Sequence, residues 1–377
     1  MTEYRFEDIA INSTAKKKPV EEDKYHYLGL EHLDSGTFTV SRFGSDVAPI
    51  GEKLIMKKGD VLFGKRRAYQ KKVAIAPFDG IFSAHGMVLR PNETVIDKDF
   101  FPLFIASDYF LDKAIVISIG SLSPTINWRD LKELKFTFPS LEEQKKLAET
   151  LWSIVNTMES YKKLFAKTDE MVKAKFVEMF GDPVTNPNQW PVKKLKEIAT
   201  YSIGLTYKPS NTADKGTLVL RSGNIQNSKL SFEDNVYVTC DIKENLFVEE
   251  NNILMCSRNG SANLVGKVAL IPSLGEKMTY GAFMTLIKTK YYYYLFIYFQ
   301  MSYFKAAMGG TKTATVNQIT QSMLDKVELT IPLIELQKEF ATFVQKSEES
   351  KSAIQASLDN LNKVYKKIIA ENLGHGR

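Results

Sequence analysis

Two long stretches of the chain carry apolar residues at steps that alternate between three and four positions. They occupy 139–180 and 332–373, and a 3.5-residue period is typical of helices that pack against another helix. The sequence therefore predicts two long coiled-coil helices. Their apolar stripes are Leu147, Leu151, Ile154, Met158, Tyr161 and Phe165 in the first and Ile354, Leu358, Leu361, Tyr365 and Ile368 in the second.

The sequence also predicts both ends of the first helix and shows three polar residues within the apolar stripes. Ser140 with Glu143 forms a capping box, and Gly181 is typical of a helix end. Polar residues fill a few stripe positions, namely Thr168 in the first helix and Ser347 and Lys351 in the second. A single helix cannot bury its own stripe, so the two helices are predicted to pair antiparallel. An alternative is that each stripe faces another chain.

The other parts of the chain, 1–138 and 190–331, contain short β-type runs broken by turn residues and are joined by a turn-rich linker at 181–189. Predicted strands are Gly36–Val40, Val61–Phe63, Val73–Ala76, Thr217–Leu220, Asn235–Val238 and Val268–Ile271. One helix is predicted in each part, at Pro102–Ile117 and Tyr293–Met308. The fold class is α+β, with two mixed globules separated by two antiparallel helices. About 40 helical residues span about 60 Å, which would hold the globules at opposite ends of a pseudo-twofold rod.

The two halves are copies of one another. Pro139–Ala148 matches Pro332–Ala341, 193 positions later (337 minus 144). Three more matches occur in the same order: Phe6–Ala10 with Leu195–Ala199, Lys72–Pro77 with Lys267–Pro272, and Gly120–Asn127 with Gly310–Asn317. Four ordered matches indicate a duplication, and the period is far too long for a solenoid repeat. Asn127 and Asn317 are interpreted as turn or capping residues.

Composition and charge indicate the kind of partner and the cellular compartment that the chain favours. A net charge of +6 is compatible with a polyanionic partner or with an ordinary slightly basic protein. Two cysteines without a CxxC pair favour a reducing cytoplasm, and the polar start of the chain shows no signal peptide. The most apolar run, Tyr291–Phe304, is too short to span a membrane.

Motifs for catalysis are missing from the sequence. No phosphate-binding glycine loop follows a strand, no Asp/Asn-Pro-Pro-aromatic motif for base methylation occurs, and no Gly-x-Ser-x-Gly elbow is present. The four histidines lack metal-ligand spacing. These observations predict a binding protein without a metal or cofactor of its own.

Basic and amide side chains concentrate in predicted loops of both halves. Arg can bridge guanine O6 and N7, Asn or Gln can bridge adenine N6 and N7, and Lys neutralises phosphate. For any single one of them a solvated loop residue is the favoured interpretation, whereas the cluster as a whole is equally compatible with DNA binding. The candidate DNA-binding residues are Lys65, Arg66, Arg67, Gln70, Lys71, Lys72, Ser121 and Ser123 in the first half and Arg221, Asn224, Ser257, Arg258, Asn259, Lys267, Lys312 and Thr313 in the second.

The arrangement resembles the specificity subunit of type I restriction–modification systems. The resemblance is carried by the duplicated Pro-x-x-Glu-x-Gln-Lys helix starts, by Phe180–Pro183 with Trp190-Pro191, and by the Gly-Ser/Thr…Ile/Val-Asn elements. It covers essentially the whole chain. The first half departs from the pattern, because Met1–Arg5 stands where the second half has Trp190-Pro191.

The resemblance implies that each globule is a target recognition domain for one half of a split, asymmetric double-stranded DNA site. The helices would set the spacing and bind two methyltransferase subunits, which in turn carry restriction subunits. S-adenosylmethionine, ATP and Mg²⁺ would belong to those partner subunits. A two-domain adaptor that binds proteins is the main alternative, and a self-sufficient restriction–methylation enzyme is a second.

Overall fold

The computed structural model describes residues 1–309 and 318–373, which form two compact units. Unit 1 comprises Met1–Leu164 and the described residues from Ile354 onward; unit 2 comprises Phe165–Ala353. Each unit holds one globular part and a segment of both long helices. The compact units therefore divide the chain within the helices, whereas the sequence analysis placed domain limits at the helix ends.

The globular part of unit 1 contains ten short strands and four short helices. They are β1 (Thr2–Arg5), α1 (Phe6–Ile9), β2 (Ala10–Ser13), β3 (Lys16–Lys17), β4 (Tyr27–Leu28), β5 (Lys53–Met56), β6 (Val61–Phe63), β7 (Val73–Ile75), β8 (Gly80–Phe82), β9 (Met87–Pro91), α2 (Phe100–Ile105), α3 (Asp108–Val116), α4 (Trp128–Leu131) and β10 (Lys135–Phe138). The first long helix, α5 (Leu141–Phe180), follows directly.

Unit 2 repeats this plan within its described residues. Its elements are β11 (Val192–Lys194), α6 (Leu195–Ile198), β12 (Thr200–Ile203), β13 (Thr212–Ala213), β14 (Thr217–Leu220), β15 (Ile225–Gln226), β16 (Lys229–Leu230), β17 (Tyr237–Val238), β18 (Ile253–Cys256), β19 (Val268–Leu270), β20 (Met278–Tyr280), β21 (Met284–Lys288), α7 (Tyr292–Tyr298), α8 (Ser302–Ala307), α9 (Gln321–Leu324) and β22 (Glu328–Thr330). The second long helix is α10 (Ile334–Asn372).

One sheet has the same topology in both units. The order β2-β9-β6-β7 in unit 1 matches β12-β21-β18-β19 in unit 2, and all pairs are antiparallel. A two-stranded ribbon is also shared, β1 with β10 and β11 with β22. The strand formed by Thr2–Arg5 therefore occupies the place of Val192–Lys194, although the sequence before it differs.

The second sheet differs between the units. Its order is β3-β5-β8-β4 in unit 1 and β13-β17-β14-β20 in unit 2, although both contain one parallel pair, β4 with β8 and β14 with β20. The copies therefore share one scaffold sheet and diverge in the other. This divergence is larger than the small loop insertions that the sequence offsets suggested.

Four of the six predicted strands are confirmed closely, and β17 covers only the second half of Asn235–Val238. The prediction for Gly36–Val40 is wrong, because Gly36 lies in a turn and the other residues form an irregular loop. Its backbone makes one hydrogen bond to β7, from the Ile75 amide to Phe38 O, while the Phe38 side chain packs on a helix, with its ring centroid 5.0 Å from that of Trp152. Apolar residues that serve a helix contact thus gave a false strand signal.

Each predicted globule helix is in fact two short helices, α2 with α3 and α7 with α8. In unit 1 the break falls at Ser107, whose hydroxyl accepts a hydrogen bond from the Phe110 amide at 3.2 Å and caps α3. Nearly all residues of α2 and α7 are buried, so the apolar run continued across the break and concealed it.

Both long helices are confirmed, and they run antiparallel within each unit. In unit 2 Lys351 pairs with Asp169, while Phe340, eleven residues earlier, packs on Phe176 and Phe180 further along α5. The Ser140 amide donates to Glu143 Oε2 at 2.9 Å, which confirms the capping box. The hydrogen bonds from Ser140 lower the pKa of Glu143.

The duplicated glutamines at the helix starts are buried structural residues. Gln144 Nε2 donates to the carbonyl oxygens of Pro139 and Val95, and its Oε1 accepts from the Asp97 amide at 2.9 Å. Gln337 makes the equivalent bond to Pro332 O at 2.8 Å. Each glutamine fixes the turn from which its long helix begins. This shared structural role explains why the two copies of the motif are so similar.

Candidate nucleic-acid interface

The two basic loops occupy the same backbone position in the two units. The Gly64 amide donates to Lys72 O at 2.9 Å, and the Cys256 amide donates to Lys267 O at 2.9 Å. Two residues further along, the Arg66 amide donates to His85 O and the Arg258 amide to Phe283 O. Arg66 and Arg258 are therefore structural equivalents at the end of the same hairpin.

The loop before α4 and α9 closes over this hairpin in both units. The Ile126 amide donates to Lys65 O at 2.9 Å, and the Ile319 amide donates to Ser257 O at 2.7 Å. This register corrects the sequence match. Asn127 corresponds to Thr320, since each is the residue before its helix, and not to Asn317. Asn317, Lys312 and Thr313 lie outside the described residues.

Arg66, Arg67 and Arg258 differ from the other arginines that the structure describes. The structure describes eight arginines in all, and five of them contact a carboxylate: Arg5, Arg42, Arg90, Arg129 and Arg221. The remaining three have no carboxylate partner within 1–309 and 318–373. Their charge is therefore not neutralised inside either described unit, as expected for residues that meet an anionic partner.

Each of the two equivalent arginines lies against a ring. Arg66 Nη1 is 3.3 Å from His85 Nε2, and the Arg258 guanidinium is 5.6 Å from the centroid of Phe283. Such contacts restrict the side chain while leaving guanidinium donors available. Neither ring residue was a sequence candidate, because both follow a different strand and only the fold brings them to the arginine.

Two lysines lie near His85, the ring residue that contacts Arg66 in unit 1. Burial, then the charges of Arg66, Lys65 and Lys53, hold the pKa of His85 below its usual value. Burial and the nearby Lys16 likewise lower the pKa of Lys65. The lowered pKa disfavours the charged form of His85, and Lys65 and Lys53 add positive charge near the Arg66–His85 pair.

The segment after Arg66 has a strained backbone. Arg67 and Lys71 have positive φ values of 54° and 48° and flank a single 3₁₀ turn, Ala68–Gln70. The Arg67 amide donates to Pro124 O at 2.7 Å, which fixes the turn against the loop that precedes α4. Strained non-glycine residues persist where the surrounding structure enforces them, often at ligand sites.

Four sequence candidates already use their polar groups inside their own unit. Lys71 Nζ contacts Asp108 and Asp112 at 2.8 Å each, and Lys72 Nζ donates to Leu30 O at 2.6 Å. Asn224 is fully buried, with bonds to backbone groups. Ser257 is also buried, and its hydroxyl donates to Phe283 O at 3.0 Å. A sequence cannot distinguish a structural lysine from a ligand-binding one in the same run.

The remaining candidates lie at or near the two loops. Ser121 is exposed, and Gln70, Ser123 and Lys267 are half-buried. Asn259 is half-buried and donates to Ser222 Oγ at 2.9 Å. Arg221 pairs with Asp234 on the wall of a pocket in unit 2.

The predicted helix stripe is recovered with one shift. In unit 1 Leu151 and Val155 are buried in the core, with Leu147, Met158, Tyr365 and Ile368 packed partly against it. Ile154 is only half-buried and lies outside that cluster. Ile354 is buried, whereas Tyr161, Phe165, Leu358 and Leu361 are half-buried.

The polar stripe positions form a buried polar layer in unit 2. Lys351 is 3% exposed, and its Nζ contacts Asp169 Oδ1 at 2.7 Å and Glu348 Oε1 at 3.0 Å. The same ammonium lies 5.1 Å from the ring centroid of Phe165. Thr168 on α5 and Ser347 on α10 are also buried, and each is within four residues of Asp169 or Lys351 in the sequence. A paired charge at a stripe position favours one register of a helix pair over others.

The described ranges contain neither a metal-binding cluster nor a membrane-spanning helix. Among residues 1–309 and 318–373, no group of three or more His, Cys, Asp and Glu side chains is placed to hold a metal ion. Over the same ranges, no helix is both long and apolar enough to cross a membrane.

The fold and the loops define a class: a duplicated α+β protein whose equivalent cationic loops are suited to nucleic acid. The family model for the type I restriction modification DNA specificity domain matches residues 3–167 and again 187–363. The chain belongs to that family and contains its domain twice, which confirms the resemblance seen in the sequence.

Relatives agree with this assignment. The chain is 23% identical over 96% of its length to the putative type I restriction enzyme MjaX specificity subunit of Methanocaldococcus jannaschii, and the match covers 89% of that protein. It is 26% identical over 49% of its length to the type I restriction enzyme EcoDI specificity subunit of Escherichia coli. That second match spans 42% of the E. coli protein, less than half of its length.

Solved structures show the same fold. The S subunit of a type I restriction-modification system from M. genitalium matches all of this chain and 96% of its own, with a TM-score of 0.53 and 14% identity. A chain from a structure on complex assembly and conformational transition of the type I R-M system gives the same score, at 16% identity and 98% coverage of this chain. The predicted α+β fold with duplicated domains and long helices is thereby confirmed.

Proposed function

We propose that this chain is the non-catalytic subunit that reads DNA for a type I restriction–modification complex, and that it reads a two-part, asymmetric site. The observation that carries the proposal is the pair Arg66 and Arg258. They occupy equivalent positions, each lies against a ring, and neither has a carboxylate partner among the described residues. A guanidinium presented in this way can donate two hydrogen bonds to guanine O6 and N7.

The neighbours of the two arginines support different half-sites. Next to Arg258 stands Asn259 where unit 1 has Arg67, and Phe283 replaces His85 at the ring position. Donor and acceptor patterns at these positions therefore differ although the backbone hydrogen bonds agree. Two readers with one scaffold and different side chains should recognise different base sequences.

The long helices are the proposed docking surface for two methyltransferase subunits, through which restriction subunits join the complex. Supporting this role, Met171, Val177 and Val364 are exposed apolar residues on α5 and α10. S-adenosylmethionine, ATP and Mg²⁺ would be bound by those partners. The same exposed residues also suit a protein-binding adaptor, the alternative function.

Mapping methylated adenines in the host genome tests the proposal. With the chain present, we expect a motif of two defined parts separated by a fixed unspecified gap, and this motif should disappear when the chain is deleted. A continuous palindrome, or an unchanged methylation pattern, would contradict the proposal. Salt titration separates DNA reading from the adaptor function, because phosphate contacts make the affinity fall steeply with salt concentration.

Arg66→Ala and Arg258→Ala test the DNA-reading loops of unit 1 and unit 2 separately. Each should weaken binding to one half-site by about 1–3 kcal/mol, because one pair of base contacts is lost, and should leave the other half-site unaffected. Arg129→Ala is the matched control: its side chain is 80% exposed and pairs with Asp130. Equal weakening on all DNA sequences would show that the arginines contact phosphate and not bases.

A further inference from the structure

Unit 2 contains an open pocket of about 640 Å³ beside the Arg258 loop. Tyr207, Arg221 and Phe283 contribute to its wall, together with the polar residues Gln226 and Asp234. Its volume falls in the range usual for sites that take a small organic ligand, and such sites combine apolar walls with a few polar groups. The pocket has these properties.

Arg221 is incompletely paired inside this pocket. Its Nη2 donates to Asp234 Oδ2 at 3.0 Å, which fixes the orientation of the guanidinium. Its Nε is buried and has no hydrogen-bond partner among the described residues. A buried donor without an acceptor is costly in a folded protein, so a small movement of the guanidinium that brought this N–H to a ligand acceptor would be favoured.

The Arg221 guanidinium has no counterpart at the equivalent position of unit 1. The Arg221 amide donates to Asn224 Oδ1 at 2.9 Å, and in unit 1 the Gly29 amide donates to His32 Nδ1 at 2.9 Å. The Asn224 and His32 amides return the same backbone bond to Arg221 and Gly29. Arg221 and Gly29 are therefore equivalent, so the backbone arrangement that the two copies share at this point, after β4 and β14, does not require an arginine.

The pocket adjoins the surface proposed to read DNA. Phe283, which is 59% exposed, lines the pocket and also lies beneath the Arg258 guanidinium. Asn259 donates to Ser222 Oγ at 2.9 Å, and Ser222 is another wall residue. A DNA strand held by Arg258 would therefore pass the mouth of the pocket.

From these contacts we infer that the pocket receives one guanine base, unstacked from the half-site that unit 2 reads; this inference rests on the proposed function. The guanidinium of Arg221, whose side chain is 37% exposed, donates to an acceptor on the guanine edge, O6 or N7. The carboxylate of Asp234 and the amide oxygen of Gln226 are the acceptors for its amino group. Phe283 and Tyr207 offer aromatic faces for stacking, which tolerates any planar base and leaves the choice to the polar groups.

Binding to mismatched duplexes tests the inference once the methylated motif is known. A mismatch opposite the extruded guanine removes the cost of unpairing, so the affinity of the 377-residue chain should rise about tenfold at that one position. A 2-aminopurine placed beside the guanine should brighten on binding, because its stacking neighbour leaves. Arg221→Met should abolish the tenfold rise, whereas Lys243→Met, which removes an exposed charge outside the pocket, should retain it.

The outcomes separate the inference from the proposed function. Specific binding to the perfect motif without a mismatch effect or a 2-aminopurine signal would overturn base extrusion and leave the reading function intact. Binding of guanosine monophosphate without DNA, together with no mismatch effect, would also overturn it, because the pocket would then serve a free nucleotide. Absence of any sequence-specific binding would instead contradict the proposed function.

Discussion

Replacing Leu151 with aspartate tests whether the two long helices bury their stripe within unit 1. Leu151 is fully buried in the core that also contains Ile369 and Leu373 of the second helix segment. An aspartate there must ionise in an apolar site or become protonated. Protonating a carboxyl with a usual pKa near 3.9 at pH 7 costs about 4 kcal/mol, and the lost burial of leucine adds about 2 kcal/mol.

The expected destabilisation is therefore about 6 kcal/mol at pH 7, which is comparable with the whole stability of many domains. It should shrink to about 3–4 kcal/mol at pH 5, because protonation then costs only about 1.5 kcal/mol. The sign follows from the raised pKa: the folded variant binds the extra proton, so it loses stability as the pH rises. Urea unfolding at several pH values measures this dependence.

Two matched variants make the test decisive. Leu151→Asn removes the same burial without a titrating group, so its cost should not change between pH 5 and pH 7. Ile154→Asp lies three residues away at a half-buried position outside the core cluster and should cost about 1 kcal/mol or less. Equal effects of Leu151→Asp and Ile154→Asp would refute the assignment of the buried stripe.

Three further predictions concern buried polar groups. Lys351→Ala should destabilise unit 2 by about 2 kcal/mol, less than the cost of breaking a fully buried pair, because Asp169 and Glu348 are partly exposed. Lys351→Met should cost less, because the stem is kept and Glu348 retains its ion pair with Lys229; urea unfolding measures both costs. Gln144→Leu should cost about 2–3 kcal/mol because three hydrogen bonds to the backbone are lost, against about 1 kcal/mol for Gln337→Leu, which loses the bond to Pro332; equal melting shifts would contradict this. Lys71, and also Lys366, hold the pKa of Asp108 low against the opposing effect of burial. The stabilisation is fully present above the pKa that Asp108 has in the unfolded chain, and it is lost as the pH falls through its lower pKa in the folded chain. Asp108→Asn should therefore cost at most about 1 kcal/mol at pH 7. Its melting temperature should approach that of the wild type as the pH falls below about 4.

The duplication and the two long helices were predictable because they depend on local order in the chain. A 3.5-residue apolar period survives in any environment that buries one face, and Ser140 with Glu143 acts within a single turn. The same reasoning found the scaffold strands β6, β7, β18 and β19, whose apolar runs are short and bounded by turns. It failed at Gly36–Val40, where Phe38 serves a helix contact across the unit.

The candidate site was predictable only in part. Sequence reasoning selected Arg66 and Arg258 from the composition of their loops, but it also selected Lys71 and Lys72. All four are basic residues beside a strand end. What separates them is the distance from Lys71 to Asp108 and from Lys72 to Leu30 O, between positions far apart in the sequence.

The sequence by itself determined that this protein is two copies of one α+β unit with heptad helices, and that the catalytic motifs sought are missing. Tertiary structure decided which charges stay available, because a cation such as Lys71 is paired only when the fold brings a carboxylate from another segment to it. It also set Arg221 in a pocket where unit 1 has Gly29, a difference that becomes visible only when backbone hydrogen bonds align the two copies. Periodicity is local and can be read along a chain, whereas pairing depends on how distant segments meet.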